Sequence, residues 1–134
     1  MEITFKTELV PPIEKIIDLY NCSDYFPIGN KEDSERIKKM HDNANIVVTA
    51  WDKDKLIGLA RSISDFCYCC YLSELCVRND YRRKDVGQEW VKITKQMAGE
   101  ECKLILQSLP DAMVFYKSIG MEQINSVFII QRSY

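Results

Sequence analysis

Apolar positions along the chain follow two rhythms, and their order predicts the elements. Ile3 and Phe5 alternate with Thr4 and Lys6, the period of a short strand. Pro11-Pro12 ends it, and Ile13, Ile16, Ile17 and Tyr20 then fall on one helical face. Residues 21–30 read as an irregular loop carrying two aromatics, Tyr25 and Phe26. From Lys31 to about Asn43 a second, highly charged helix turns Ile37, Met40 and Ala44 inward. Asn45–Trp51, Leu56–Ser64 and Cys67–Val77 are strands joined by tight polar connections, which makes an antiparallel meander. Val86, Trp90, Ile93 and Met97 follow i, i+4, i+7, i+11, so a helix begins near Gly87 and stops at Gly99. Leu104–Leu106 is a short buried strand, parallel to Cys67–Val77 because a helix joins them. Ser108–Asp111 leads into a helix over Ala112–Ser118 that Gly120 ends, and Ile124 and Val127–Ile130 supply the closing strand or strands. The order is β-α-α-β-β-β-α-β-α-β.

Composition narrows what such a chain does. At 134 residues it is expected to form one domain, 1–134, since two ordinary cores would need more chain. A net charge of −2 gives no global field toward nucleic acid or an anionic membrane. No apolar run approaches the roughly 18 residues of a membrane span, and Met-Glu-Ile-Thr-Phe-Lys lacks the layout of a signal peptide. The expectation is a cytoplasmic protein whose six cysteines are reduced thiols. Three cluster as Cys67-Tyr68-Cys69-Cys70, but strand geometry puts Cys67 and Cys69 on one face and Cys70 on the other. Buried free thiols filling a core are expected there, and no metal. His41 is the only histidine; near a helix C-terminus it reads as a capping or surface residue.

Against this acidic background Arg82-Arg83-Lys84 stands out. The three cations lie between a strand ending at Val77 and a helix. The first turn of a helix leaves N–H groups unpaired, and with the helix dipole they form an anion site. Cations in the lead-in make a polyphosphate the natural guest, and Gly87 lets a ligand approach the backbone. The rival reading is a solvated basic turn. Nucleic acid is a weak alternative, because the rest of the chain offers no basic face.

A second patch, Ala112-Met113-Val114-Phe115-Tyr116-Lys117-Ser118-Ile119-Gly120-Met121, adds to the first. Together they resemble the GNAT family, the Gcn5-related N-acetyltransferases. That family's acyl-CoA loop reads Arg/Gln-x-x-Gly-x-Gly/Ala after a strand ending Leu-x-Val, and its last helix reads Ala-x-x-Phe-Tyr-x-x-x-Gly-Phe. Leu75, Val77, Arg82 and Gly87 match the first; Ala112, Phe115, Tyr116 and Gly120 match the second. The resemblance implies an α/β domain with a mixed, mostly antiparallel sheet flanked by helices. It implies acetyl-CoA as cosubstrate, with backbone groups of Leu75, Cys76 and Val77 on its pantetheine arm. N–H groups of Arg83, Lys84, Asp85, Val86, Gly87 and Gln88, with Arg82 beside them, would hold the pyrophosphate. It places Tyr116 beside the CoA sulfur, and the loop bearing Tyr25 and Phe26 over the acceptor pocket. Two positions depart from the pattern: Asp85 stands where the loop has its first glycine, and Leu109 where many relatives carry an Asn.

The reaction so implied is attack of a neutral amine on a thioester. It needs one proton removed from an ammonium and one returned to the leaving thiolate. Tyr116, a phenol with pKa about 10, suits the second. For the first, Glu74 is the nearest carboxylate, but relatives carry their glutamate one position earlier, at Ser73. One step along a strand reverses the face. Glu74 therefore acts through water or is structural, Ser73 is a polar contact, or no dedicated base is needed. The expected function is direct acetyl transfer to a primary amine of a small molecule or protein. The alternative is a non-catalytic acyl-CoA-binding module. Family members often dimerise, and the closing strand with Phe128 and Ile129 offers an edge for a homodimer.

Overall fold

The structure, a computed structural model, describes residues 2–8, 10–23 and 33–133, the side chain of Lys84 excepted. Tyr25 and Phe26 lie outside the described residues. One sheet of five strands runs in sequence order: β1 (Thr4–Lys6), β2 (Ile46–Asp52), β3 (Lys55–Ser64), β4 (Cys69–Val77) and β5 (Lys103–Leu106). All pairs are antiparallel except β4 with β5, which the intervening helix makes parallel. Helices α1 (Ile13–Asn21) and α2 (Ser34–Asp42) cover one face of the sheet; α3 (Lys84–Ala98) covers the other. A short α4 (Met113–Ser118) follows β5 after a 3-10 turn over Pro110–Ala112.

The two faces have separate cores. Ile16, Leu19, Tyr20 and Ile37 pack on Val47, Leu59 and Cys76. On the other side Val86, Trp90 and Ala98 pack on Ile46, Val48, Ala60 and Leu72. Trp90 is the keystone of that second layer. Its indole N–H donates to the Val48 carbonyl at 3.1 Å, and Phe5 meets its ring edge-on at 5.5 Å. Its six-membered ring lies against Gly58 of β3, where a Cβ would stand 2.1 Å from ring carbon Cη2 and 2.9 Å from the Cys76 carbonyl. Gly58→Ala is expected to cost about 1–3 kcal/mol, the usual range for overpacking. A urea midpoint unchanged from wild type would contradict it.

Two expectations are corrected. The third helix starts at Lys84 rather than near Gly87, so the cations lie at its threshold. The closing strand is not formed: the described residues beyond Gly120 have no regular secondary structure and pair with no strand. Of the cysteines, Cys70, Cys76 and Cys102 are buried free thiols, while Cys22 and Cys67 are exposed. Among the described residues no helix is long and apolar enough to cross a membrane.

Candidate active site

The sheet opens where β4 outruns β5. Parallel pairing joins Cys69–Leu72 to Lys103–Leu106 and then stops, although β4 continues to Val77. Among the described residues, β4 from Ser73 onward has no strand neighbour on that side. Ser73 is also a bulge: Arg61 pairs with Glu74 and Ser62 with Leu72, which leaves Ser73 unmatched. A bulge reverses the alternation of a strand. Before it, Cys70 and Leu72 face α3; after it, Leu75 and Val77 take that side, while Cys76 packs with α1 and α2. Glu74 accordingly shares the α1/α2 side, hydrogen-bonded to Tyr20.

A cavity of about 940 Å³ fills the opening. Ser73, Glu74, Leu75 and Val77 line one side, and Leu106–Leu109 line the other. Arg82, Arg83 and Gly87 close one end, Phe115 and Tyr116 form a wall, and Met40, Arg36 and Arg61 lie at the other end. Cys76, Asp85, Val86 and Gln88 do not line it: Cys76 and Val86 are buried in the cores, and Asp85 and Gln88 face solvent.

The α3 end is built for an anion. Arg83 occupies the N-cap position and makes no side-chain cap. The first helical bond runs from the Gly87 N–H to the Arg83 carbonyl at 3.2 Å. The N–H groups of Lys84, Asp85 and Val86 therefore precede the helical ladder. Asp85 is exposed and engages Arg83 in a two-pronged pair at 3.1 and 2.7 Å, while Arg83 still lines the cavity. That pairing holds the Asp85 carboxyl below the ordinary carboxylate range. An exposed pair of this kind is a weak competitor. Asp85→Asn is expected to free Arg83 and tighten binding of inorganic pyrophosphate, used as a probe anion, by roughly two- to fivefold at low salt, less at high salt. Titration calorimetry at two ionic strengths checks it; weaker binding by the variant would contradict it. Gly87 has a second use beyond backbone access. A Cβ there would come 2.7 Å from Phe115 Cζ, so α4 seats its aromatic on the first turn of α3. Phe115 in turn meets Tyr116 edge-on at 5.0 Å.

The opposite end is a buried polar cluster that periodicity hides among core positions. Glu74, 3% exposed, accepts from the Tyr20 hydroxyl at 2.8 and 3.0 Å and from Arg61 Nε at 2.8 Å. Arg61 also donates to Ser73 Oγ at 3.0 Å, tying the bulge down. His41 is buried here rather than capping α2 at the surface, with Nε2 3.0 Å from the Tyr20 oxygen. Tyr20 gives its one proton to Glu74, so Nε2 is assigned the ring proton. Nδ1 is then bare and, among the described residues, has no partner. Burial and the Glu74 carboxylate push the Tyr20 hydroxyl well above the phenol range. Burial also pushes the Cys76 thiol up to about 12, so that thiol is inert.

Burial, with Arg61 adding to it, lowers the His41 imidazole to about 4. Glu74 Oε1 at 3.5 Å does not reverse this, because Arg61 engages the same oxygen at 2.8 Å. The unfolded chain, with an ordinary histidine, takes up the proton first as pH falls. Stability from this group is therefore full above about pH 6.5 and drains away toward pH 4, by on the order of 3 kcal/mol. The check is the difference in urea midpoint between wild type and His41→Gln across that window. A difference that stays flat would contradict it.

The sheet thus splits beside a helix N-terminus that carries no side-chain cap. Residues 27–131 match the acetyltransferase (GNAT) domain model, and the chain belongs to that family. No curated protein sequence matches the chain. Solved structures do. A Staphylococcus aureus protein of unknown function shares 20% identity at TM-score 0.79, over 99% of this chain and all of its own. Aminoglycoside N-acetyltransferase AAC(6')-Iy, solved with CoA, shares 12% at TM-score 0.74, covering 99% of this chain and 96% of that one. The Escherichia coli ribosomal-protein-S18-alanine N-acetyltransferase shares 14% at TM-score 0.73, covering 92% and 80%. At these identities the likeness is one of fold.

Proposed function

We propose that this chain is an N-acetyltransferase that moves an acetyl group from acetyl-CoA directly to a primary amine. The observation that supports this is one continuous cavity joining the uncapped α3 N-terminus, the Tyr116 phenol and the Glu74 cluster. The residues fit the cosubstrate: N–H groups at 84–86 and the Arg82 and Arg83 guanidinium groups suit a diphosphate. The unpartnered side of β4 at Leu75–Val77 suits the amides of a pantetheine arm. When bound, acetyl-CoA supplies an acyl carbon activated as a thioester.

Tyr116 is the proposed acid. Burial raises its pKa above the usual phenol value, so it holds a proton at neutral pH and can pass it to the departing sulfur. Glu74 is the proposed route for the amine's proton, through a water, because Tyr20 and Arg61 already occupy its oxygens. Ser73 is a polar contact beside it. That same engagement of Glu74 favours the rival reading, an acyl-CoA-binding module without turnover.

The acceptor is proposed to be a compact amine that is not a polycation. The described lining carries Arg36, Arg61, Arg82, Arg83 and Arg132 against Glu74 and Asp111, and Glu74 is matched by Arg61. Such a lining gives several ammonium groups nowhere to pair. The test is acetyl-CoA with a panel of amino acids, peptides, polyamines and amino sugars. CoA release is read by chromatography, since the exposed Cys22 and Cys67 would react with thiol dyes. Amine-dependent CoA release with an acetylated product supports the reading, and preference for polyamines or amino sugars removes the acceptor class alone. CoA binding without any acetylated amine leaves the module.

A further inference from the structure

On the sheet face that packs against α1 and α2, Val47, Arg61 and Glu74 sit abreast on β2, β3 and β4. The next row on that face holds Ile63, Tyr71 and Ile105, paired across β3, β4 and β5. Cys70 and Leu72 point to α3, so Tyr71 between them points the other way, and its strand partners point with it. None of the three joins either core, and Ile63 and Tyr71 are 48 and 42% exposed. A single exposed apolar side chain is ordinary. Three abreast on adjacent strands make a surface.

That surface is continuous with the cavity, because Tyr71 is part of the cavity wall. Tyr71 lies two residues before Ser73, roughly 6–7 Å along the strand. An amine held beside Ser73 and Glu74 therefore has the ring within reach of a substituent on its own carbon. The row carries no charge, and Arg61 in the adjoining row is engaged by Glu74 and Ser73. A second ammonium placed on the row would lose water without gaining a partner. An apolar group placed there covers apolar surface and loses nothing.

We propose, resting on the acetyl-transfer reading, that the row of Ile63, Tyr71 and Ile105 is the subsite for the acceptor's side chain. It takes an aromatic or branched aliphatic group borne on the carbon next to the amine. Tyr71 is the member shared with the cavity, and its ring offers a flat face to either kind of group. The acceptor is thus an apolar amine, not merely a compact one.

The test titrates glycine amide, leucine amide and phenylalanine amide into the protein, with CoA and without it, by calorimetry. The same series is then run with acetyl-CoA as a rate measurement. The amides share one α-amine and differ only in side chain. Leucine and phenylalanine amides are expected to bind about tenfold or more tightly than glycine amide, with kcat/KM in the same order. Tyr71→Ser, at a half-exposed position and so expected to fold, narrows that preference at least about threefold, while Tyr71→Phe keeps it. Equal affinity for all the amides, or a preference that survives Tyr71→Ser, overturns the proposal and leaves acetyl transfer standing. A Tyr71→Ser protein that melts well below wild type also overturns it, because the ring is then packed by the chain itself or by a second copy. A side-chain preference in binding with no acetylated product keeps the subsite and removes the transfer reading instead.

Discussion

Arg61→Met is expected to lower stability by about 3–5 kcal/mol, the cost of stranding one member of a buried ion pair. For a domain of this size that is roughly 10–20 °C in melting temperature. Glu74 is 3% exposed although it lines the cavity, and Arg61 Nε at 2.8 Å is its only cationic partner among the described residues apart from the uncharged His41. Methionine fills similar volume, so the loss comes from charge and hydrogen bonding rather than from a cavity. Arg61 also holds Ser73, so the bulge that turns Glu74 toward α1 loses its side-chain anchor. The double variant Arg61→Met/Glu74→Gln is expected to recover a good part of the loss, since no unpaired charge is left behind. The cycle of four proteins in urea isolates the coupling. A single variant within about 1 kcal/mol of wild type would mean that solvent from the cavity compensates the Glu74 charge once Arg61 is gone.

The same cluster shows where sequence reasoning stops. The Val86, Trp90, Ile93, Met97 stripe was legible because one helix face meets one sheet face. The parallel β4–β5 pair followed from the helix between them. The cationic threshold and the Phe115-Tyr116 pair were likewise legible, since each is a local run, and both line the cavity. Glu74 was not legible in its direction: strict alternation along β4 leaves its side open, and a one-residue bulge at Ser73 decides it. Bulges leave no mark in a pattern of apolar and polar letters. Tyr20 read as part of the apolar face of α1 and His41 as a capping or surface residue, and only the long-range meeting with Glu74 gives them their polar roles. Arg61, mid-strand between Ala60 and Ser62, carried no signal at all. The closing strand expected over Ile124 and Val127–Ile130 was misread from propensity, because a strand also needs an edge to pair with and among the described residues this run has none.

Tyr116→Phe is expected to reduce kcat on the preferred amine by about 10²-fold or more, the usual contribution of a positioned acid. CoA affinity and melting temperature are expected to stay as in wild type. The phenol makes no hydrogen bond among the described residues, and the ring itself, which meets Phe115 edge-on, is kept. The change therefore removes one proton and little else. Its effect falls on the step in which sulfur leaves: without a donor the thiolate must depart unprotonated or wait for solvent. Since burial already raises the Tyr116 pKa, the wild-type phenol stays loaded through neutral pH, and its rate should show no alkaline-limb loss from this group up to about pH 10. A departing thiolate that already leaves easily would make the donor redundant, and then Tyr116→Phe would turn over within threefold of wild type. That outcome would reduce Tyr116 to a wall of the cavity and leave acyl transfer to positioning alone.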